Sequence, residues 1–297
     1  MNPGTQIMIG EEDYLFVKQY QDNEELRSEL NRLTRETYGF EFEDWYQQGL
    51  WTDRYRPYSL LYKNRLVANV SVNPIDFIED GRLYHTLQIG TVMTDPKYRN
   101  KGLSRTLIDI IMEEYEGKVD LMYLYANDTV TQFYPKFGFQ QAKEYIYSKQ
   151  YTRQAKNTFR KLDGRDREDR QLLLRLISNT RQVSKYAMID NPYLPMFYVT
   201  GPLADCCYYC EELDLVALVE YEEDSMVVQD LFSTETFDLD EVIASLLDQK
   251  ERRVLLGFTP SNTAHFYKEL LEEPGTTFFV KGNNFIENGR LPVLSHA

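Results

Sequence analysis

The sequence predicts an α/β (α+β) protein, with a mixed, mostly antiparallel central sheet flanked by helices, and with that plan present twice. Three observations carry this prediction. Short apolar runs joined by polar turns alternate with helical stripes along the chain. A hairpin is legible early, where residues 59–62 and 66–72 flank the turn Lys63-Asn64-Arg65. The order of strands and helices then starts again after residue 158, the mark of an internal duplication. A length of 297 residues suits one large domain or two of roughly 150.

The elements follow in order. Residues 14–20 read as a strand. Asp22-Asn23-Glu24-Glu25 opens a helix with capping residues and first-turn acids, and Leu26, Leu30 and Leu33 follow at helical spacing. Residues 38–58 are crowded with Tyr38, Phe40, Phe42, Trp45, Tyr46, Trp51, Tyr55 and Tyr58, which suits a packed helix-loop or the wall of a cleft. A long strand over 83–94 ends at Pro96. A helix over 101–115 carries Leu103, Leu107, Ile110 and Ile111 on one face, and a strand over 119–125 follows. Asn127 and Asp128 cap a short helix that stops between Pro135 and Gly138. Residues 139–150 close this half as a strand pair or one long strand. The polar stretch 152–157 reads as a linker, giving domains 1–150 and 151–297. In the second half, strands are expected at 159–162, 204–213, 215–221, 225–232, 253–258 and 277–280. Helices are expected around Leu172-Leu173-Leu174, over 239–247 and over 261–271.

Composition narrows the function classes. The 33 basic and 47 acidic residues leave a net charge of −14, a surface that repels phosphate backbones and argues against nucleic-acid binding. The same charge favours cationic amines. No apolar run reaches the roughly 18–20 residues of a membrane span. Met1-Asn2-Pro3-Gly4-Thr5 lacks the plan of a signal peptide, so no membrane association and a cytoplasmic location are expected. Cys206, Cys207 and Cys210 lie in one apolar stretch, and the histidines are His85, His265 and His296. Buried thiols in a strand account for the cysteines better than a metal, and none is expected.

The segment with the most chemistry is Thr94-Asp95-Pro96-Lys97-Tyr98-Arg99-Asn100-Lys101-Gly102-Leu103-Ser104-Arg105. A strand ends, a proline marks a turn, and a helix opens at a glycine. The first N–H groups of a helix lack internal partners and sit at the positive end of its dipole. Both features suit a pyrophosphate. Gly102 allows close approach of the backbone, and Arg99, Lys101 and Arg105 add positive charge to an acidic protein.

Arg99-x-x-Gly102-x-Ser104 resembles the first signature of the Gcn5-related N-acetyltransferase (GNAT) family, usually Gln/Arg-x-x-Gly-x-Gly/Ala, with Ser104 departing at the last position. Asn127-Asp128-Thr129-Val130-Thr131-Gln132-Phe133-Tyr134-Pro135-Lys136-Phe137-Gly138-Phe139 resembles its second. The likeness is good over residues 57–148 and loose over 10–56. It implies the acyl-CoA N-acyltransferase fold and acetyl-CoA as co-substrate. In this family a splayed strand admits pantetheine. By that resemblance Val92, Met93 and Thr94 would meet pantetheine. Arg99, Asn100, Lys101, Gly102, Leu103, Ser104 and Arg105 would surround the pyrophosphate, and Asn127 and Phe133 would touch the distal part of the cofactor. The backbone N–H near Met93 would serve the oxyanion. Tyr134 would be the general acid, its phenol holding a proton more tightly than a thiol does.

The general base stays open among Glu41, Glu43 and Asp44, of which Glu43 is taken as the candidate. His85 is read as bystander. The second half lacks the signature. Ser233-Thr234-Glu235-Thr236-Phe237-Asp238 has no glycine and no base, so that half is structural or shapes the acceptor pocket in place of a dimer partner. The carboxylate of Ala297 could enter the active site. The expected acceptor is a small primary amine, and the chain a monomer or homodimer. The alternatives are a protein or peptide N-acetyltransferase and a non-catalytic acyl-CoA sensor.

Overall fold

The computed structural model describes residues 4–181 and 183–296. The first half runs β1 (Thr5–Ile9), β2 (Glu12–Lys18), α1 (Glu24–Tyr38), α2 (Glu43–Gln47), β3 (Arg56–Tyr62), β4 (Arg65–Glu79), β5 (Arg82–Thr94), α3 (Leu103–Tyr115), β6 (Leu121–Ala126), β7 (Gln140–Gln141) and β8 (Tyr145–Thr152). The second runs β9 (Arg160–Lys161), α4 (Arg167–Ser178), β10 (Ala187–Ile189), α5 (Tyr193–Thr200), β11 (Cys207–Cys210), β12 (Leu215–Tyr221), β13 (Ser225–Ser233), α6 (Leu239–Leu246), β14 (Glu251–Leu256), β15 (Tyr267–Leu270) and β16 (Thr277–Gly282).

Helix starts follow their caps. Asn23 accepts from the Leu26 amide at α1, and Asp166 accepts from the Glu168 and Asp169 amides at α4. The strand expected over 204–213 is confined to Cys207–Cys210, with Cys207 and Cys210 buried, Cys206 half-buried just before it, and all three thiols free. Two expectations fail. Residues 261–271 form no helix. Asn262 turns the chain, and β15 pairs with β8, whose free edge supplies the backbone partners a helix would have left bare. The segment after Asn127 forms two tight 3-10 turns instead of one helix, because Pro135 has no amide to donate. Strands β1 and β10 and helix α5 were not anticipated.

Two sheets result, with the same topology. The first is ordered β1-β2-β3-β4-β5-β6-β16-β7, with β10 on β4. The second is ordered β15-β8-β14-β13-β12-β11-β9. In each, an antiparallel pair (β4/β5, β12/β13) leads to a parallel pair (β5/β6, β13/β14) through one crossover helix, α3 or α6. The next strand comes from the other half. β16 pairs with β6, and β8 pairs with β14, so each half completes its sheet with a strand of the other. The stretch 152–157, expected as a linker, is fastened to α6 and to the residue before β14: Gln154 donates to Ala244 O and Arg153 to Lys250 O.

Packing extends this exchange. One core joins α1 and α2 (Leu30, Leu33, Phe42, Trp45, Trp51) to the second half (Leu173, Leu176, Met196, Val216, Leu294). α3 covers the opposite face of the first sheet, and α6 that of the second. A substitution such as Leu33→Ala would open a cavity shared by both halves.

Candidate active site

Strands β5 and β6 run parallel and pair only over Thr86–Gln88 and Leu121–Tyr123. Beyond that they part, although β5 continues to Thr94 and β6 to Ala126. A bulge at this point sharpens the divergence. Asn69 faces Met93 and Ser71 faces Gly90, so Val70 opposes both Thr91 and Val92. Thr91 adopts φ 48°. A buried polar chain holds that residue in place. The Tyr20 hydroxyl lies 2.6 Å from Ser59 Oγ, and Ser59 donates to Asn69 Oδ1 at 2.8 Å. Asn69 Nδ2 donates to Thr91 O at 2.9 Å, and Tyr55 Oη lies 2.8 Å from Thr91 Oγ1. Of these four partners only Tyr55 stood in a segment read as a cleft wall, because only the folded sheet brings the others together.

After β5 the chain enters the turn read from the sequence. Asp95 is 3% exposed and accepts from the Lys97 amide at 3.0 Å and from Arg65 Nη2 at 3.2 Å. Asn100 (φ 63°) and Gly102 (φ 83°) then reverse the chain into α3. A Cβ on Gly102 would meet nothing, so the glycine is needed for its backbone angle and not for lack of room. No side chain caps α3. Its first amides therefore point into open space, as an anion site requires. Ser104 Oγ sits 2.6 Å from Thr94 Oγ1, so the serine at the departing position ties the helix start to the end of β5.

A cleft of about 540 Å³ results, lined by Val92, Met93, Thr94, Arg99, Asn100, Gly102, Leu103, Ser104, Arg105, Phe133 and Tyr134. Thr37, Tyr98, Thr129 and Val130 complete it, and sequence reasoning had assigned them nothing. Tyr38, one of the aromatic residues read as a packed segment or a cleft wall, also reaches this site. It reaches from the end of α1 to donate to Val92 O at 3.1 Å. Tyr134 is 5% exposed, and nothing among the described residues hydrogen-bonds its hydroxyl. Burial holds that phenol well above its ordinary pKa, so it keeps its proton.

Other expected residues stand elsewhere. Lys101 points away from the cleft and pairs with Glu12 at 2.7 Å. Asn127 accepts from the Thr129 amide, its side chain spent on the local turn. Glu43 lies outside the cleft. Its oxygens accept from Arg27 Nε at 3.0 Å, Asn31 Nδ2 at 2.8 Å and Gln47 Nε2 at 2.8 Å, which hinges α1 to α2. The Arg27 guanidinium holds its carboxyl below the usual range, the wrong direction for a base. Glu41 pairs with Arg35. His85 sits near the start of β5, exposed, 2.8 Å from Asp76 Oδ1. Ala297 lies outside the described residues.

The residues present fit acetyl-CoA as substrate: uncapped amides and two arginines for the pyrophosphate, an open strand edge for pantetheine, and a protonated phenol nearby. Among the described residues no three His, Cys, Asp or Glu side chains converge as metal ligands. No helix among them is long and apolar enough to cross a membrane.

Residues 19–142 match the model of the acetyltransferase (GNAT) domain. No curated protein matches the chain. Solved structures do. The "Probable N-Acyltransferase" of Enterococcus faecalis, a conserved protein of unknown function, superposes with a TM-score of 0.60 at 15% identity, covering 90% of this chain and 71% of that one. Eis1 from Mycobacterium abscessus gives 0.57 at 13%, covering 90% and 72%. A GCN5-related N-acetyltransferase from Kribbella flavida gives 0.55 at 14%, covering 90% and 70%. At these identities the likeness is one of fold, and it extends over both halves. With the matched signature and the cleft it builds, the chain carries an acyl-CoA N-acyltransferase domain of the GNAT family over residues 19–142.

Proposed function

We propose that the chain transfers an acetyl group from acetyl-CoA to the primary amine of a small molecule, by direct attack while both substrates are bound. One observation carries the reading. Tyr134, buried and with no hydroxyl partner among the described residues, shares a cleft with the uncapped start of α3 and the open edge of β5. Arg99, Arg105 and the amides of α3 hold the pyrophosphate. The β5 backbone from Val92 to Thr94 aligns the thioester arm, and the N–H near Met93 faces the developing oxyanion. Tyr134 returns a proton to the departing thiolate.

The acceptor side belongs to both halves. Phe197 of α5 packs edge-on against Phe40 (6.0 Å) and Trp45 (5.8 Å). Tyr198 donates to His296 O at 2.7 Å, and the His296 ring lies 4.0 Å from that of Tyr125 on β6. Contacts of this kind between the two halves of one chain support a small amine over a protein terminus. The second half then stands where a partner subunit would.

The test is a thiol-release screen of amines with acetyl-CoA. Release that depends on the amine and falls in Tyr134→Phe supports the reading. Acetyl-CoA binding without release for any amine would leave a sensor instead.

A further inference from the structure

Strand β6 has two faces beside the gap that parts it from β5. Met122, Leu124 and Ala126 lie in the core under α3, with Leu103 and Tyr134 of the cofactor cleft. Alternation turns Tyr123 and Tyr125 to the opposite face, where the second half packs. Tyr123 is the last residue of β6 paired with β5, so Tyr125 stands on that face where the strands have parted. A thioester in the gap, with its pyrophosphate at the start of α3, would meet an amine from this second face.

His296 covers that point. Its ring centre lies 4.0 Å from that of Tyr125. Its backbone is pinned from two sides: the amide donates to Val293 O at 3.1 Å, and Tyr198 of α5 donates to His296 O at 2.7 Å. Leu294 and Ser295 before it are fully buried. Nε2 is closed off from solvent and has no hydrogen-bond partner among the described residues. The same face holds two more such atoms. Asn73 faces Gln88 and Gln88 faces Tyr123, one row across β4, β5 and β6 just short of the gap. Asn73 Nδ2 and Tyr123 Oη are buried there without a partner among the described residues. Polar atoms left bare on one buried face are costly unless a bound molecule completes them.

The groups around the imidazole set its charge. Tyr123, Tyr125 and Tyr198 are phenols that burial keeps protonated. Glu144, pushed up to about 7 by burial, accepts from the Tyr125 hydroxyl at 3.2 Å. Burial first and the Arg290 charge second hold His296 well below its ordinary pKa. The ring is therefore neutral near pH 7, and in the tautomer protonated at Nδ1 it offers the Nε2 lone pair.

We propose that His296 is the catalytic proton acceptor of acetyl transfer, and that the acceptor amine enters from the face opposite α3, over Tyr123 and Tyr125. The assignment rests on the acetyl-transfer reading. The amine nitrogen attacks the thioester carbon, and as the C–N bond forms its proton passes to Nε2. The C–S bond then breaks, and the sulfur takes the Tyr134 proton. The imidazolium and the phenolate return to their resting forms by exchange with water. Acid and base stand on opposite faces of one gap.

Thiol release from acetyl-CoA is measured with n-butylamine, ethanolamine, benzylamine and tyramine, and the fastest is carried forward. His296→Ala should lower kcat ~100-fold with CoA affinity, read by calorimetry, unchanged, and added imidazole should restore part of the loss. Wild-type kcat should fall as pH drops below about 6.5. That fall should vanish in His296→Gln and persist in Glu144→Gln. Wild-type kcat in His296→Ala, the result that water alone on this face would give, overturns the assignment. So does a loss that imidazole does not restore, or an acid limb that survives in His296→Gln. If no amine of the four releases thiol from the wild type, the acetyl-transfer reading itself fails, and the assignment falls with it.

Discussion

The two parallel crossovers, β5–α3–β6 and β13–α6–β14, share a topology and part company at the approach to the helix. In the first, the strands separate after three paired positions. In the second they pair over four positions up to Val228 and Leu256, and the Gly257 amide extends the pairing by donating to Val228 O at 2.8 Å. A Cβ on Gly257 would come within 2.5 Å of Gln229 O, so no arm could pass there. The chain's own Val293 amide then bonds Gly257 O at 2.9 Å. The helix starts differ as sharply. α3 has no cap. α6 is capped by Asp238, which accepts from the Glu241 amide, and Asp240 and Glu241 occupy its first turn. The loop before α6 is tied down as well, with Thr234 Oγ1 donating to Asp214 at 3.0 Å and Arg181 Nε to Thr234 O at 2.9 Å. A helix N-terminus is thus an anion site only when its own sequence leaves it vacant.

The largest expected effect lies at the vacant start. Gly102→Glu and Ser104→Glu should each weaken CoA binding by ~100-fold or more, because a carboxylate replaces the phosphate at the amides. Calorimetry checks it. Tyr134→Phe comes next. It should cut kcat by ~10–100-fold with CoA affinity retained, since only the proton donor is lost.

The capped start should respond in the other currency, stability. Asp238→Ala should cost ~1 kcal/mol in denaturant unfolding and leave CoA affinity unaltered. Asp214 gives the pH test. Arg175 Nη1 and Nη2 donate to it at 2.7 and 2.6 Å, and with Tyr209 and Thr234 they pull its pKa down to about 2. A pKa lower in the folded than in the unfolded state contributes stability above about pH 4, lost as pH falls through about 2. Asp214→Asn should therefore be less stable than wild type at pH 7, by ~1 kcal/mol after discounting solvent exposure, and the gap should narrow toward pH 2. The smallest effect is expected for Lys101→Ala, a change of a few-fold at most in CoA affinity, because Glu12 already neutralises that charge.

Much of this candidate site was legible before folding because its parts are local. The turn from Arg99 to Ser104 and the segment around Tyr134 each lie within a short window, the first marked by a strand end, a proline and a glycine before a helix, the second only by its resemblance to a family signature. What escaped is made of distant contacts. The chain Tyr20–Ser59–Asn69–Thr91 draws on four strands or loops, and no period or motif marks it. The exchange of β8 and β16 is equally silent, because a strand's sequence shows that one face is buried but not which sheet receives it. Glu43 illustrates the reverse error. An acid in an aromatic segment suits a base on paper, yet Arg27 and Asn31, one and two turns along α1, claim both of its oxygens.

The central claim is one working cofactor site in a chain with two crossovers. Titration of CoA by calorimetry tests it most directly. The account predicts a single site per chain, abolished by Ser104→Glu and untouched by Asp238→Ala. Two sites per chain, or binding that survives Ser104→Glu, would contradict it.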